Sequence, residues 1–245
     1  MKYSREYLKD TVRNETDFTK TDQALGKKMP PIQKEYDKND IIIKLPKISE
    51  ISHINEVDVF TAIKNRKSHR SFVNDYLTLE ELSFLLYSTQ GIRDINNNRT
   101  FRTVPSAGNR HPFETYILAC NVDGLDKAVF RYLPIEHELL FIREYNDLKD
   151  RLVKACRGQK FAGDSAVTFV WTTIPYRTEW RYSQASYKVI ALDAGHICQN
   201  LYLACEAISS GTCAIAAYDQ QKIDKLIGVD GEEEFTIYLS PVGRV

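Results

Sequence analysis

Tyr187-Lys188-Val189-Ile190-Ala191-Leu192-Asp193-Ala194-Gly195-His196-Ile197-Cys198-Gln199-Asn200-Leu201-Tyr202-Leu203-Ala204-Cys205 continues through Ser210 without a proline and stops at Gly211. Apolar residues fall on nearly every face of this stretch, so it reads as a long helix buried at the centre of the protein and ended by its glycine. Just upstream, Ala166-Val167-Thr168-Phe169-Val170-Trp171-Thr172-Thr173 is apolar enough to be an interior strand and is expected in mid-sheet. Downstream come the strand-like Thr212 to Tyr218, a short helix capped by Asp219, and a final strand Glu234 to Leu239 that leads into Ser240-Pro241-Val242-Gly243-Arg244. Working outward toward the N-terminus, Phe113 to Cys120 is rich in strand formers, and Ala128 to Tyr132 with Glu138 to Arg143 form a hairpin pattern. Asp147 to Cys156, closed by Gly158, is a short amphipathic helix. Thr78-x-x-Glu81 is a capping box for a helix whose apolar face is Leu79, Leu82, Leu85 and Leu86, ended by Gly91. Val57, Val59, Phe60, Ala62 and Ile63 mark another helix between Glu56 and Lys67. Strands and helices intermix without a βαβ repeat, so the fold class is α+β, with a central antiparallel or mixed sheet flanked by helices.

Residues 1–50 differ from this. They are polar and lack periodicity, Met29-Pro30-Pro31 breaks any helix, and Ile41-Ile42-Ile43-Lys44 reads as extended. We read an extended N-terminal arm over 1–50 and one domain over 51–245; the arm can be ordered only by lying across the domain or a neighbouring subunit. Lys plus Arg and Asp plus Glu are both 33, so no global field attracts a polyanion, and a nucleic-acid partner is not expected. The N-terminus is charged rather than apolar and no run is long enough for a bilayer, so the expectation is a cytoplasmic protein with no membrane partner. Cys120, Cys156, Cys198, Cys205 and Cys213 are odd in number and include no C-x-x-C pair, which argues for reduced, buried thiols and against a zinc site.

Four segments carry potential chemistry. Arg66-Lys67-Ser68-His69-Arg70 places three cations and a hydroxyl at the end of a helix, and in an extended segment Arg66, Ser68 and Arg70 share one side. Guanidinium pairs of this kind bind phosphate through parallel hydrogen bonds, although a solvated basic turn has the same composition. Pro105-Ser106-Ala107-Gly108-Asn109-Arg110-His111-Pro112 offers small residues and donors to a heteroaromatic ring, or is simply a tight turn before a strand. Gly211-Thr212-Cys213-Ala214-Ile215 lacks bulk and would admit a flat ring or close strand packing. Gly243-Arg244 offers a second phosphate contact or a plain terminus. His196 has Asp193 and Asn200 at i−3 and i+4, which suits a hydrogen-bonded core histidine; with no second ligand at the right spacing, no metal is expected.

In this order, with the text between them, these segments resemble the FMN-dependent nitroreductase family, and within it the SagB-type dehydrogenase branch, which forms thiazoles and oxazoles. The likeness runs from Met29-Pro30-Pro31 through Thr78-Leu79-Glu80-Glu81-Leu82, Gln90-Gly91-Ile92, Arg102-Thr103-Val104-Pro105-Ser106-Ala107-Gly108 and His111-Pro112-Phe113. It continues through Trp180-Arg181-Tyr182, Asp193-Ala194-Gly195-His196, Gln199-Asn200-Leu201 and Asp224-Lys225-Leu226-Ile227-Gly228 to Pro241-Val242-Gly243. The resemblance implies an intertwined homodimer with one FMN per subunit at the interface. Arg66, Ser68 and Arg70, with Lys67 adjacent, would hold the phosphate and ribityl chain, helped by Gly243 and Arg244 of the same subunit. Pro105, Ser106, Ala107 and Asn109 would reach the flavin from the other subunit, with His111 touching it or bracing the turn. Gly211, Cys213, Ala214 and Ile215 would lie along the ring.

The resemblance also implies catalytic roles for the basic residue and tyrosine ahead of the long helix, here Arg181 and Tyr182. Lysine is usual where Arg181 stands, and Ser183 and Ala185 replace a glycine and an arginine common in the branch. Arginine stays protonated and cannot act as a general base, so proton removal would fall to Tyr182 or water. Three functions are consistent with this pattern. One is a nitroreductase-type enzyme moving hydride or electrons in two steps between NADH or NADPH and a small conjugated acceptor. Another is a dehydrogenase of azoline peptides that uses dioxygen as acceptor. The third is a non-catalytic flavin-binding subunit of a peptide-modifying complex.

Overall fold

The computed structural model describes Arg5 and residues 8–97 and 99–245. Its centre is a seven-stranded sheet in which every pairing is antiparallel. The strands are β1 (Ile42–Lys44), β4 (Phe113–Ala119), β5 (Ala128–Leu133), β6 (Glu138–Glu144), β7 (Val167–Thr173), β8 (Ser210–Thr212) and β9 (Phe235–Arg244), while β2 (Ile92–Asn96) and β3 (Arg99–Arg102) make a separate hairpin. The spatial order is β1-β6-β5-β4-β7-β9-β8. β7 therefore lies in mid-sheet, and all seven of its residues are buried, as its unbroken apolar run requires.

Helices cover both faces, dividing the interior in two. On one side α3 (Leu79–Gln90) and α7 (Ser186–Glu206) pack with Leu82, Leu85, Leu86, Ile197 and Leu201 against Phe130, Phe169 and Trp171. On the other, α4 (Leu148–Ala155), α5 (Lys160–Asp164) and α8 (Gln220–Ile227) pack with Leu152, Ile223 and Ile227 against Leu118 and Val170. Fully burying an aliphatic side chain of this size contributes about 1.5–3 kcal/mol. The expected capping box forms: Glu81 N donates to Thr78 Oγ at 3.2 Å, and Thr78 N donates to the Glu81 carboxylate at 2.8 Å. Asp219 caps α8, which ends at Gly228 with φ 84°, a left-handed conformation suited to glycine.

Several elements depart from expectation. The stretch after α7 is a strand only at Ser210–Thr212 and then touches β9 again through a bridge between Ile215 and Leu239, whereas β9 continues through Pro241 to Arg244. The β2–β3 hairpin and α6 (Tyr176–Tyr182) were not anticipated. α7 buries Ile190, Ala194, Ile197, Leu201 and Cys205, but in the single chain Tyr187, Ala191, Leu192, Gly195, His196 and Gln199 form an exposed stripe.

The arm is fastened to the domain. Ile42–Lys44 becomes the edge strand β1 against β6. Further back, Arg102 Nη2 donates to the Ile32 carbonyl at 3.0 Å, Arg131 Nη2 donates to the Lys34 and Glu35 carbonyls, and Lys34 N donates to Glu114. The short helix α1 (Thr11–Glu15) lies at the start of the described arm.

Candidate cofactor and substrate site

The phosphate-type residues follow α2 (Val59–Asn65), whose C-cap is Arg66. The chain then runs extended beside β8: Ser68 bridges Thr212, and His69 N donates to the Thr212 carbonyl at 3.0 Å. This close approach depends on two glycines. A Cβ on Gly211 would stand 2.5 Å from the His69 ring, and one on Gly243 would stand 2.8 Å from the Phe72 ring. Arg66 stacks over the Tyr202 ring at 5.3 Å, and Ser68 Oγ lies 3.0 Å from the Tyr202 hydroxyl, which also accepts from Ala214 N at 2.9 Å. Tyr202 on α7 thus ties the basic segment to the segment after the helix, a role its sequence position does not reveal. Lys67, Ser68 and Arg70 are exposed, and among the described residues neither they nor Arg66 pair with a carboxylate.

The ring-side loop is built differently. Ser106 Oγ donates to Asp193 at 2.6 Å, Ala107 N donates to both Asp193 oxygens, and His111 N donates to Ser106 Oγ at 2.9 Å. Gly108, Asn109 and His111 all have positive φ, so the loop turns sharply back on itself. Gly108 brings it against α6: a Cβ there would lie 2.5 Å from the Tyr182 hydroxyl and 2.8 Å from Arg181 Cδ. Asn109 Oδ1 is buried without a hydrogen-bond partner. Burial pushes Asp193 above the ordinary carboxylate range against its loop bonds, and it holds the His111 imidazole down to about 3, with Arg102 acting in the same direction. His111 is therefore neutral.

The chain thus assembles two groups of residues and keeps them apart. Arg66, Ser68 and Ala214 meet at Tyr202, with Gly211 and Gly243 packed on His69 and Phe72 of the same extended segment, whereas the loop of Pro105, Ser106, Ala107, Asn109 and His111 is held by Asp193 and abuts Arg181 and Tyr182 at Gly108. Asp193 and Tyr202 are nine residues apart on α7, which places them on opposite sides of the helix and about 13 Å apart along it. Cavities of 690 Å³ between Arg143, Lys154 and Lys225, 530 Å³ beside Pro46, Ile54 and Thr78, and 510 Å³ beside the arm residues 28–36 are lined by none of these residues.

Some expectations change. Ile215 exchanges both backbone hydrogen bonds with Leu239 and buries its side chain in the second core. Cys213 is likewise buried. Arg244 pairs with Glu81 at 2.8 Å and donates to the Ile208 and Tyr76 carbonyls, so it clasps the strand end to α3. His196 is half exposed, with Asp193 3.9 Å away, and Asn200 donates to the Ser88 carbonyl, so the core-histidine reading fails. Among the described residues no His, Cys, Asp and Glu cluster could hold a metal ion.

The nitroreductase family model matches residues 63–244. The chain belongs to the nitroreductase family, a family of oxidoreductases. A Methanocaldococcus jannaschii protein assigned to the nitroreductases is 28% identical over 195 residues, 80% of this chain and 95% of its own. A crystal structure assigned to the same enzymes, from Anabaena variabilis, is 27% identical with a TM-score of 0.65 over 75% of this chain; the match spans only 37% of that longer protein. The fold is shared with a chain of the Escherichia coli microcin synthetase McbBCD complex with truncated pro-MccB17 bound (19% identity, TM-score 0.62, covering 82% and 78%). It is shared too with an Exiguobacterium sibiricum protein crystallised with FMN (13%, TM-score 0.57, covering 79% and 91%).

Proposed function

We propose that this nitroreductase-family protein is an FMN-dependent enzyme, active as a homodimer, that moves hydride or electrons in two steps between a nicotinamide donor and a small conjugated acceptor. The observation that carries the reading is the pair of half-sites on opposite sides of α7. Among the described residues, one is a cluster of cations without carboxylate partners, and the other is a loop holding a buried amide oxygen without a hydrogen-bond partner. A two-fold related copy would bring the half-site of one subunit to the complementary half-site of the other. α2 and α7 carry the surface for such a contact, since Val59, Phe60 and Ile63 are 71%, 75% and 59% exposed and Leu192 is 53% exposed.

The donor set fits the cofactor. Arg66, Lys67, Ser68 and Arg70 would hold the phosphate through charge-assisted hydrogen bonds. Asn109 Oδ1 would accept from a ring N–H, and neutral His111 keeps further positive charge out of the loop. When bound, the flavin supplies the hydride chemistry, and the protein contributes binding, orientation and shielding. Asp193 keeps the loop in shape, and Tyr182 offers a hydroxyl beside it. The five buried free cysteines suit the reducing cytoplasm.

Purified protein should be yellow and release FMN rather than FAD on denaturation, and anaerobic NADH should bleach it. Release of FAD, or no flavin after reconstitution, would overturn the reading. The contact of Gly108 with Arg181 and Tyr182 also favours a second reading, oxidation of azoline peptides, with Tyr182 or a water removing the proton. Bleaching by an azoline peptide but not by NADH would select it; bleaching by neither would point to a non-catalytic flavin-binding subunit.

A further inference from the structure

The arm reaches the substrate side of this site from outside the region matched to the family. Arg13 of α1 places its guanidinium 5.8 Å from the centre of the Phe18 ring and 5.9 Å from that of Tyr182. Arg181 lies over the same Tyr182 ring at 5.5 Å, so two guanidinium groups share one tyrosine. This position is held by hydrogen bonds further along the arm. Gln23 N donates to the Trp180 carbonyl at 2.8 Å, Trp180 Nε1 donates to the Lys27 carbonyl at 3.0 Å, and the Tyr176 hydroxyl donates to Asp22 at 2.7 Å. The arm and α6 are therefore joined by three hydrogen bonds.

Several arginines converge here, although the whole chain is neutral and Asp10, Asp22 and Glu114 pair with Arg13, Lys27 and Arg177. Arg110, in the ring-side loop, stacks on Trp180 at 4.8 Å and donates to the Arg177 carbonyl. Burial brings Arg110 down to about 10, and Arg181, Arg99 and Arg177 push it the same way. Among the described residues Arg99 and Arg181 form no ion pair, and the carboxylate bonded to Arg13 is Asp10, at 2.9 Å with both side chains substantially exposed. An exposed pair of this kind contributes little and exchanges readily for a ligand. Guanidinium groups brought together, of which Arg99, Arg110 and Arg181 pair with no carboxylate among the described residues, favour an anion at that point.

We propose that the substrate drawn to Arg181 and Tyr182 is a planar molecule bearing a carboxylate or phosphate, and that Arg13 of the arm is the residue that selects the charged group. The inference rests on the reading of the Gly108–Tyr182 contact as the substrate side of the flavin site. Tyr182 supplies the face for the ring, and Arg13 and Arg181 flank it.

The test is equilibrium binding by calorimetry to the oxidised protein as purified, with no electron donor present. The probes are 4-nitrobenzoate, 4-nitrophenyl phosphate and the neutral 4-nitrobenzamide. Both anions should bind about tenfold more tightly than the amide, the size expected of one charge-assisted contact. Arg13→Ala should reduce that ratio about fivefold, the discount reflecting partial exposure; Arg13→Lys should keep most of it, and Arg13→Glu should abolish it. A preference confined to the phosphate ester would assign a phosphorylated substrate, and one shared by both anions would assign charge alone. Equal affinity for all three probes, or a ratio unchanged by Arg13→Ala, would overturn the inference. Flavin released from the same preparation reports separately on the proposed function, because the affinity ratio is read without turnover.

Discussion

Two sets of arginines use the same side chain for opposite ends. Arg102, Arg131 and Arg177 are 4%, 2% and 2% exposed, and each is held by fixed oxygens: Arg102 by Gln90 and Ile32, Arg131 by the Lys34 and Glu35 carbonyls, and Arg177 by Glu114 at 2.5 Å. Arg66 and Arg70 follow α2 at the surface, and no carboxylate pairs with either among the described residues. An arginine whose hydrogen bonds are made within the chain is structure, and one whose hydrogen bonds are unmade is available to a ligand. Composition cannot distinguish the two, because the difference lies in the partners.

The sharpest break of that contrast is Arg177→Ala. It leaves Glu114 buried beside Arg131 without its main counter-ion, and losing one partner of a buried pair destabilises by about 3–5 kcal/mol. Urea unfolding should show that loss with flavin affinity per folded molecule retained. Arg66→Ala/Arg70→Ala should do the reverse, leaving apoprotein unfolding within experimental scatter while FMN binding falls about a hundredfold or more, at about 1.5–3 kcal/mol for each charge-assisted contact. Mixed with an Asn109→Arg variant under subunit exchange, this protein should recover one binding site per heterodimer; verified heterodimers that bind no FMN would refute the shared site.

His111 sharpens the comparison through pH. Its folded pKa is depressed by burial, first of all, to about 3 from the ordinary 6.5, with Arg102 adding to the effect. The unfolded state therefore takes up a proton below pH 6.5 that the folded state refuses, and the stability present above 6.5 declines as pH falls toward 3, by about 1.4 kcal/mol per pH unit. His137, also depressed by burial, acts in the same direction. His111→Gln should flatten most of that slope in unfolding measured across the window. The smallest effect is expected at the cap of α3, where Thr78→Ala should lower stability by about 1 kcal/mol with flavin affinity unchanged.

Much of this architecture was legible because its signals are local. The Thr78–Glu81 box, the Asp219 cap with its closing Gly228, and the unbroken apolar run of β7 need no knowledge of the rest of the chain. The β2–β3 hairpin was not legible because Arg93, Asp94, Ile95 and Asn96 are exposed and leave no alternating pattern. α7 was legible as a helix but not as one with an exposed stripe, since an apolar residue on the surface reads the same as one facing its own core. At the site, the alternation Arg66-Ser68-Arg70 and the small-residue loop could be read as candidates. Tyr202, Asp193, Arg110 and Arg13 could not, because each acts through a residue far away in sequence: Ser68, Ser106, Arg177 and Tyr182.

The position of β9 bears on how the chain is made. Phe235–Arg244 lies between β7 and β8, the two strands that precede it most closely in sequence, and Arg244 fastens to Glu81, 163 positions earlier. During synthesis, then, β7 carries an open edge until the last strand has left the ribosome, and the core around Phe169 and Trp171 cannot close before that. Such late, long-range closure is slow and exposes strand edges in the meantime. Nascent chains halted before Phe235 should therefore remain protease-sensitive and adhesive, however complete their helices are.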